Sequence, residues 1–315
     1  MNRRIRSVAV AGLVALGFAP RPAAPLLEVV AGWPQLPSGW KFAKVSWIAT
    51  DSRGRVYVAH RGEHPLLRFD EQGKFLGAVG EKELQPSTYY DLRTTTPTPM
   101  ERRWWVHGLH VDPWDNVWIT DVGRHTIMKF SPEGKLLLTL GTPDKSGESD
   151  RLFNQPTNVW VAPAGHFYVT DGYGNSRVVK FAADGKFIKS WGKRGNAPGE
   201  FHTPHSVTLD AKGNVYVTDR ENNRIRVFDP DGRFLALWPD LHSVDAVFIR
   251  SGTMYAGAGL DNKILKLDLS GKLLDSWGPP NALGYPHGLC ADTKGSLYVA
   301  EVGADRATKF RIRRE

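Results

Sequence analysis

Three histidines of this chain occupy one equivalent place in a recurring pattern. His107, His205 and His287 each stand five residues before a copy of the motif D-x-x-G-x-V-Y-V-T-D, at Asp112, Asp210 and Asp292. Before the other three copies, at Asp51, Ala162 and Arg250, the same place holds Ser46, Thr157 and Asp245. Histidine thus takes alternate copies. If the copies surround an axis, three imidazoles converge on it and form an open tridentate site whose remaining position takes water or substrate, as in catalytic zinc centres. The competing reading is structural: a repeat that favours a Pro-His turn at this point.

The segments after three of the copies carry further chemistry. HRGEHP begins at His60, DGYGNSR at Asp171 and DRENNR at Asp219, which offers Arg61, Tyr173 and Arg220. A tyrosine with its ordinary pKa of about 10 is a poor base at neutral pH, so a basic role needs neighbours that favour phenolate, such as the two arginines or a metal. Gly172 and Gly174 flank the tyrosine and leave room for a ligand's backbone. The acids Asp121, Asp171, Asp219 and Glu301 recur at one place and read as architecture, accepting backbone or arginine hydrogen bonds between repeats. His60 and His64 occur in one copy only, without the threefold pattern. No phosphate loop, nucleophile elbow or dinucleotide fingerprint follows a βα unit, because the sequence contains no such unit.

The elements that must position these residues are strands. Each copy is a turn around Gly or Asn followed by β-branched and aromatic residues alternating with period two. The copies start 61, 50, 48, 40 and 42 residues apart. A second hairpin follows five of them, as in LLRFDEQGKFLGAVG from Leu66 and VVKFAADGKFIKSWG from Val178, bent at Asp-Gly, Glu-Gly, Gln-Gly or Ser-Gly. Four strands in about 40 to 50 residues is a propeller blade. The last copy ends in ATKFRIRRE, one strand short, and LLEVVAGWP from Leu26 supplies the missing strand and closes the ring without an exposed edge. The expected fold is an all-β, six-bladed β-propeller of four-stranded blades, one domain over residues 26–315. In that fold Arg61, Tyr173 and Arg220 share a channel mouth with the three histidines. Residues 81–103, the excess behind the 61-residue spacing, emerge at the same mouth. Trp191, Trp238 and Trp277, near the ends of outer strands, read as packing between blades.

Composition narrows the alternatives. Hydrophobic residues make up 41% and charged ones 23% of 315 residues, a globular balance. One cysteine, Cys290, excludes a disulfide scaffold and reads as a small buried apolar group. Residues 1–25 contain Arg3, Arg4 and Arg6, then an apolar run too short to span a bilayer, then small residues and prolines. This reads as a cleaved secretory signal, with an uncleaved anchor as the alternative, and implies a secreted or periplasmic protein without stable membrane insertion. Without that segment the formal charge falls from +8 to +4. The remaining basic residues are dispersed, which argues against nucleic acid as a partner. A monomer is expected.

These residues resemble the NHL-repeat propellers and, among them, the peptidyl-α-hydroxyglycine α-amidating lyases. The resemblance runs from about Ser46 to Phe310 and rests on HGLHVD at His107, DGYGNSRVVKF at Asp171, TPHSVTLD at Thr203, VTDRENNRIRVF at Val217 and YPHGLCAD at Tyr285. It implies zinc held by His107, His205 and His287, Tyr173 as base, and Arg61 and Arg220 to hold the substrate and tune the tyrosine. The implied reaction cleaves the N–C bond of a peptidyl-α-hydroxyglycine, or a related hydroxylated substrate, to an amide and glyoxylate. Two positions depart from the family. Gly288 replaces an Asp that helps hold a structural calcium ion, which leaves Ca2+ an open question, and Gly174 replaces a disulfide cysteine. No monooxygenase unit accompanies the lyase-like part. The alternatives are a non-catalytic NHL propeller that binds a protein or peptide, and a propeller metal hydrolase, which would normally use acidic and Asn ligands.

Overall fold

The computed structural model describes residues 26–92, 96–278 and 282–313. The expected leader, residues 1–25, lies outside them. Among the described residues no helix is long and apolar enough to cross a membrane.

Six four-stranded antiparallel sheets form the blades of a propeller. Their first strands are Val45–Thr50, Val106–Val111, Pro156–Val161, Pro204–Leu209, Val244–Arg250 and Pro286–Ala291. Each packs against the first strand of the blade on either side, so these strands line the axis. The sixth blade is completed by Leu26–Val29, which runs antiparallel to Arg306–Arg313 with Val29 opposite Phe310. The expected ring closure is present.

Position within the blade explains the burial. The second strands, such as Phe167–Asp171 and Val215–Asp219, are buried throughout because each is flanked by strands and covered by blades on both faces. The outer strands, such as Phe187–Trp191, are largely open. Tryptophans in or just after outer strands lock neighbouring blades. Trp191 lies against Gly232 in the next blade's outer hairpin, Trp238 against Gly271, and Trp33 of the sixth blade against Gly73 of the first. These glycines have φ of 78°, 90° and 92°, so the hairpin needs the left-handed conformation and the indole needs the missing Cβ.

The recurrent acids are architectural, with one correction. Asp171 accepts from Arg177 Nε at 3.0 Å and from Asn154 N–H at 2.9 Å. Asp219 likewise accepts from Arg224 Nε and His202 N–H, both at 2.6 Å. Both bonds stay within one blade, because the arginine sits directly opposite on the adjacent strand. They fasten the loop that leads into the blade, not the neighbouring blade.

Candidate metal centre

Ser46, His107, Thr157, His205, Asp245 and His287 are each the second residue of an axial strand, and all are buried. At each of these six places the pairing with the second strand slips, for example between Pro204 and Val207 and between Pro286 and Gly288. Such a bulge removes the residue from the ladder and re-aims its side chain. Here it brings the three histidines together.

Their rings stand 4.8, 4.8 and 4.9 Å apart, with interplanar angles of 81°, 79° and 85°, an arrangement close to threefold. Each Nδ1–H donates to the carbonyl of the equivalent residue in the next blade. His107 bonds Thr157 at 2.6 Å, His205 bonds Asp245 at 2.7 Å and His287 bonds Ser46 at 2.7 Å. This fixes one tautomer and leaves Nε2 as the lone-pair nitrogen. Burial, and then the charges of neighbouring groups, hold His107 and His205 well below the ordinary imidazole pKa, so both stay neutral and able to ligate a metal. The three histidines offer ligand atoms within 4.8 Å of one another.

Tyr173 completes the constellation. Its hydroxyl lies 2.9 Å from His107 Nε2 and 3.0 Å from His205 Nε2. Two lone pairs therefore face one phenolic proton, and a cation would satisfy what that proton cannot. The set fits a nitrogen-preferring divalent ion with an open position.

Arg220 Nη1 approaches the Tyr173 hydroxyl at 3.4 Å and Asp245 Oδ1 at 3.3 Å, while Nη2 donates to Glu221 at 2.6 Å. Burial works against its charge, but Tyr173, Asp245 and Glu221 together raise its pKa, so it remains a cation. Burial pushes Asp245 up to about 6 against the opposing pull of Arg220. The Arg61 guanidinium lies 5.0 Å over the Trp105 ring. Trp105, Tyr89, Val122 and Tyr173 form one buried cluster, so residues 81–103 bring Tyr89 to the wall of the site.

The expectation for Gly172 and Gly174 is corrected. A Cβ on Gly172 would collide with the Pro204 carbonyl and one on Gly174 with the Asn154 side chain, so these glycines let the loop pack tightly instead of admitting a ligand. His60 and His64 stand apart from the centre. His60 Nδ1 accepts from Gly62 N–H at 3.2 Å and Ala43 N–H at 3.3 Å, and Nε2–H donates to the His64 carbonyl at 3.1 Å. His64 pairs with Glu81 and stacks on Trp40 at 3.7 Å.

Two contributors, Trp47 and Tyr285, escaped the sequence reading, and Asp245, already placed at the ring position, gains a role. Trp47 forms the floor, 5.8 to 6.3 Å from the three imidazoles. Asp245 adds a carboxylate to the ring, and Tyr285 packs beside His287 at 6.3 Å. The signal for Trp47 was its place directly after the ring position Ser46. Behind it lies a cavity of ≈ 320 Å³ lined by Trp47, Leu109, His110, Trp160, Phe248 and Cys290. Gly288 supplies no carboxylate for calcium, and a Cβ there would stand 2.9 Å from Trp47 Cα and 3.0 Å from the Ser46 carbonyl. The residues present do not fit the calcium site implied by the resemblance.

A six-bladed propeller with NHL repeats is the class that this fold defines, and NHL repeats match at residues 153–181 and 201–228. The chain is 35% identical to NHL repeat-containing protein 3 of Mus musculus, over 91% of this chain and 84% of that protein. It is 30% identical to peptidyl-alpha-hydroxyglycine alpha-amidating lyase 2 of Drosophila melanogaster, over 92% of this chain and 76% of the lyase. Among solved structures, virginiamycin B lyase from Staphylococcus aureus superposes with a TM-score of 0.59 at 15% identity, covering 91% of this chain and 87% of that one, a likeness of fold. The chain belongs to the NHL-repeat propeller family, in the group that contains NHL repeat-containing protein 3 and the amidating lyases.

Proposed function

We propose that the protein is an exported zinc-dependent carbon–nitrogen lyase that cleaves peptidyl-α-hydroxyglycine, or a closely related N-(α-hydroxy) carboxylate, to an amide and glyoxylate. The observation that carries this reading is the Tyr173 hydroxyl, within hydrogen-bond distance of two of three converged imidazoles. His107, His205 and His287 would hold the ion, which supplies Lewis acidity toward the substrate's oxygen when bound.

The chain's own groups account for the rest of the reaction. Tyr173, beside Arg220, takes the proton of the substrate's α-hydroxyl as general base. The O–H electron pair becomes the second bond of the glyoxylate carbonyl, the C–N bond breaks, and the amide nitrogen leaves with the electron pair. Tyr173 then returns the proton to that nitrogen. Arg61 pairs with the substrate carboxylate and fixes which C–N bond is presented. Trp47, Tyr89 and Trp105 enclose the site and limit water. Stoichiometric release of amide and glyoxylate by the purified zinc-loaded protein tests this proposal.

The second reading, a propeller that binds a peptide without chemistry, rests on the similarity to NHL repeat-containing protein 3, whose name carries no activity. Metal content discriminates between the two, because a binding module has no use for a stoichiometric ion.

A further inference from the structure

In the third, fourth and sixth blades the last residue of the second strand is an acid, and the residue directly opposite it is an arginine. Asp171 faces Arg177, Asp219 faces Arg224 and Glu301 faces Arg306. Each guanidinium bonds its carboxylate, at 3.0, 2.6 and 2.8 Å. The second blade keeps the acid, Asp121, but places Thr126 opposite it. Asp121 is 1% exposed and Thr126 0%. Oδ1 of Asp121 accepts from Gly123 N–H at 3.0 Å and Arg124 N–H at 3.1 Å. Among the described residues, Oδ2 of Asp121 and Oγ1 of Thr126 have no hydrogen-bond partner, and neither does the buried Oγ of Ser87. The Ser87 hydroxyl, from the connection that precedes this blade, lies against Gly123, two residues after Asp121. The nearby guanidinium of Arg124 is directed to Asp144.

We propose that Asp121, Thr126 and Ser87 hold a monovalent alkali cation where three other blades hold a guanidinium. A buried carboxylate with one oxygen unpaired costs several kcal/mol unless a positive charge or proton meets it. Burial already pushes the Asp121 carboxyl up to about 6. One carboxylate and two hydroxyls are hard oxygen donors with a single negative charge, which matches Na+ or K+ better than a divalent ion. The charge replaced, one guanidinium, is also +1. Val122, next to Asp121, packs with Tyr89, and Ser87 stands two residues before Tyr89, so the cation would anchor the wall that carries Tyr89, independently of any ion on the three histidines.

Melting temperature measured in NaCl, in KCl and in choline chloride at equal ionic strength tests the proposal. Wild type should melt about 2 °C or more higher in one alkali salt, saturably with its concentration. Asp121→Asn should lose that difference while remaining folded, and Thr126→Arg, which installs the repeat's own guanidinium, should lose it too. Equal melting of wild type in all three salts would overturn the proposal. So would an Asp121→Asn variant that keeps the same alkali-salt dependence.

Discussion

The Nδ1–H of His107 donates to the carbonyl of Thr157 in the next blade at 2.6 Å, and the same bond recurs from His205 to Asp245 and from His287 to Ser46. The three histidines are therefore oriented by the backbone of their neighbours, and their convergence depends on the closed ring. Replacing any one of the three with Ala should lower bound zinc at least tenfold while leaving the strands intact. Metal analysis beside circular dichroism checks this, and full occupancy in the triple variant would place the metal elsewhere.

Tyr173→Phe removes one hydroxyl and keeps the ring that packs against Tyr89 and Trp105. Turnover should fall by roughly 10²- to 10⁴-fold, as for loss of a general base. Zinc content and melting temperature should stay near wild type. A variant with near wild-type turnover removes Tyr173 from the reaction.

Gly288→Ala tests the packing behind His287. The added methyl would meet Trp47 and the Ser46 carbonyl that orients His287. The expected cost is about 1–3 kcal/mol of stability, with weakened zinc binding. Chemical denaturation and zinc titration read the two effects. Unchanged values would show that the Trp47 floor yields freely.

Much of the fold was readable because turn glycines and period-two strands recur at each repeat, and because the last repeat visibly lacks a strand that residues near Leu26 supply. The histidines were readable because spacing alone put them at equivalent places. The bulge that turns those side chains inward was not readable, since nothing in the residue types distinguishes a paired from a slipped strand start. Asp245 looked like one member of a mixed ring until its carboxylate was seen beside Arg220. The acids at the ends of second strands were expected to join blades, whereas their arginine partners lie opposite them in the same blade.

Residues 81–103 should shape substrate affinity. Tyr89 stands 6.4 Å from Tyr173, ring to ring, so Tyr89→Ala should raise KM several-fold with less effect on kcat. Steady-state kinetics decide, and an unchanged KM would make the segment a surface insertion only.

Burial lowers the His110 pKa to about 4. The unfolded chain binds this proton near pH 6.5 and the folded protein does not, so the contribution of His110 is fully present above pH 6.5 and is lost as pH falls toward 4. Asp121 and Asp245, raised to about 6, act in the opposite direction, so the difference between His110→Phe and wild type is the quantity to follow. That difference should shift in favour of the variant by at most about 1.4 kcal/mol per pH unit across this window. Denaturation at pH 7 and pH 5 measures it, and a pH-independent difference contradicts the assignment.

The most direct test is the release of glyoxylate from N-benzoyl-α-hydroxyglycine by the zinc-loaded protein, followed against the spontaneous reaction. The account predicts one glyoxylate and one benzamide per substrate consumed, at a rate that collapses in Tyr173→Phe and in the variant with His107, His205 and His287 all replaced by Ala. A zinc-loaded, folded protein that releases glyoxylate no faster than buffer would contradict it.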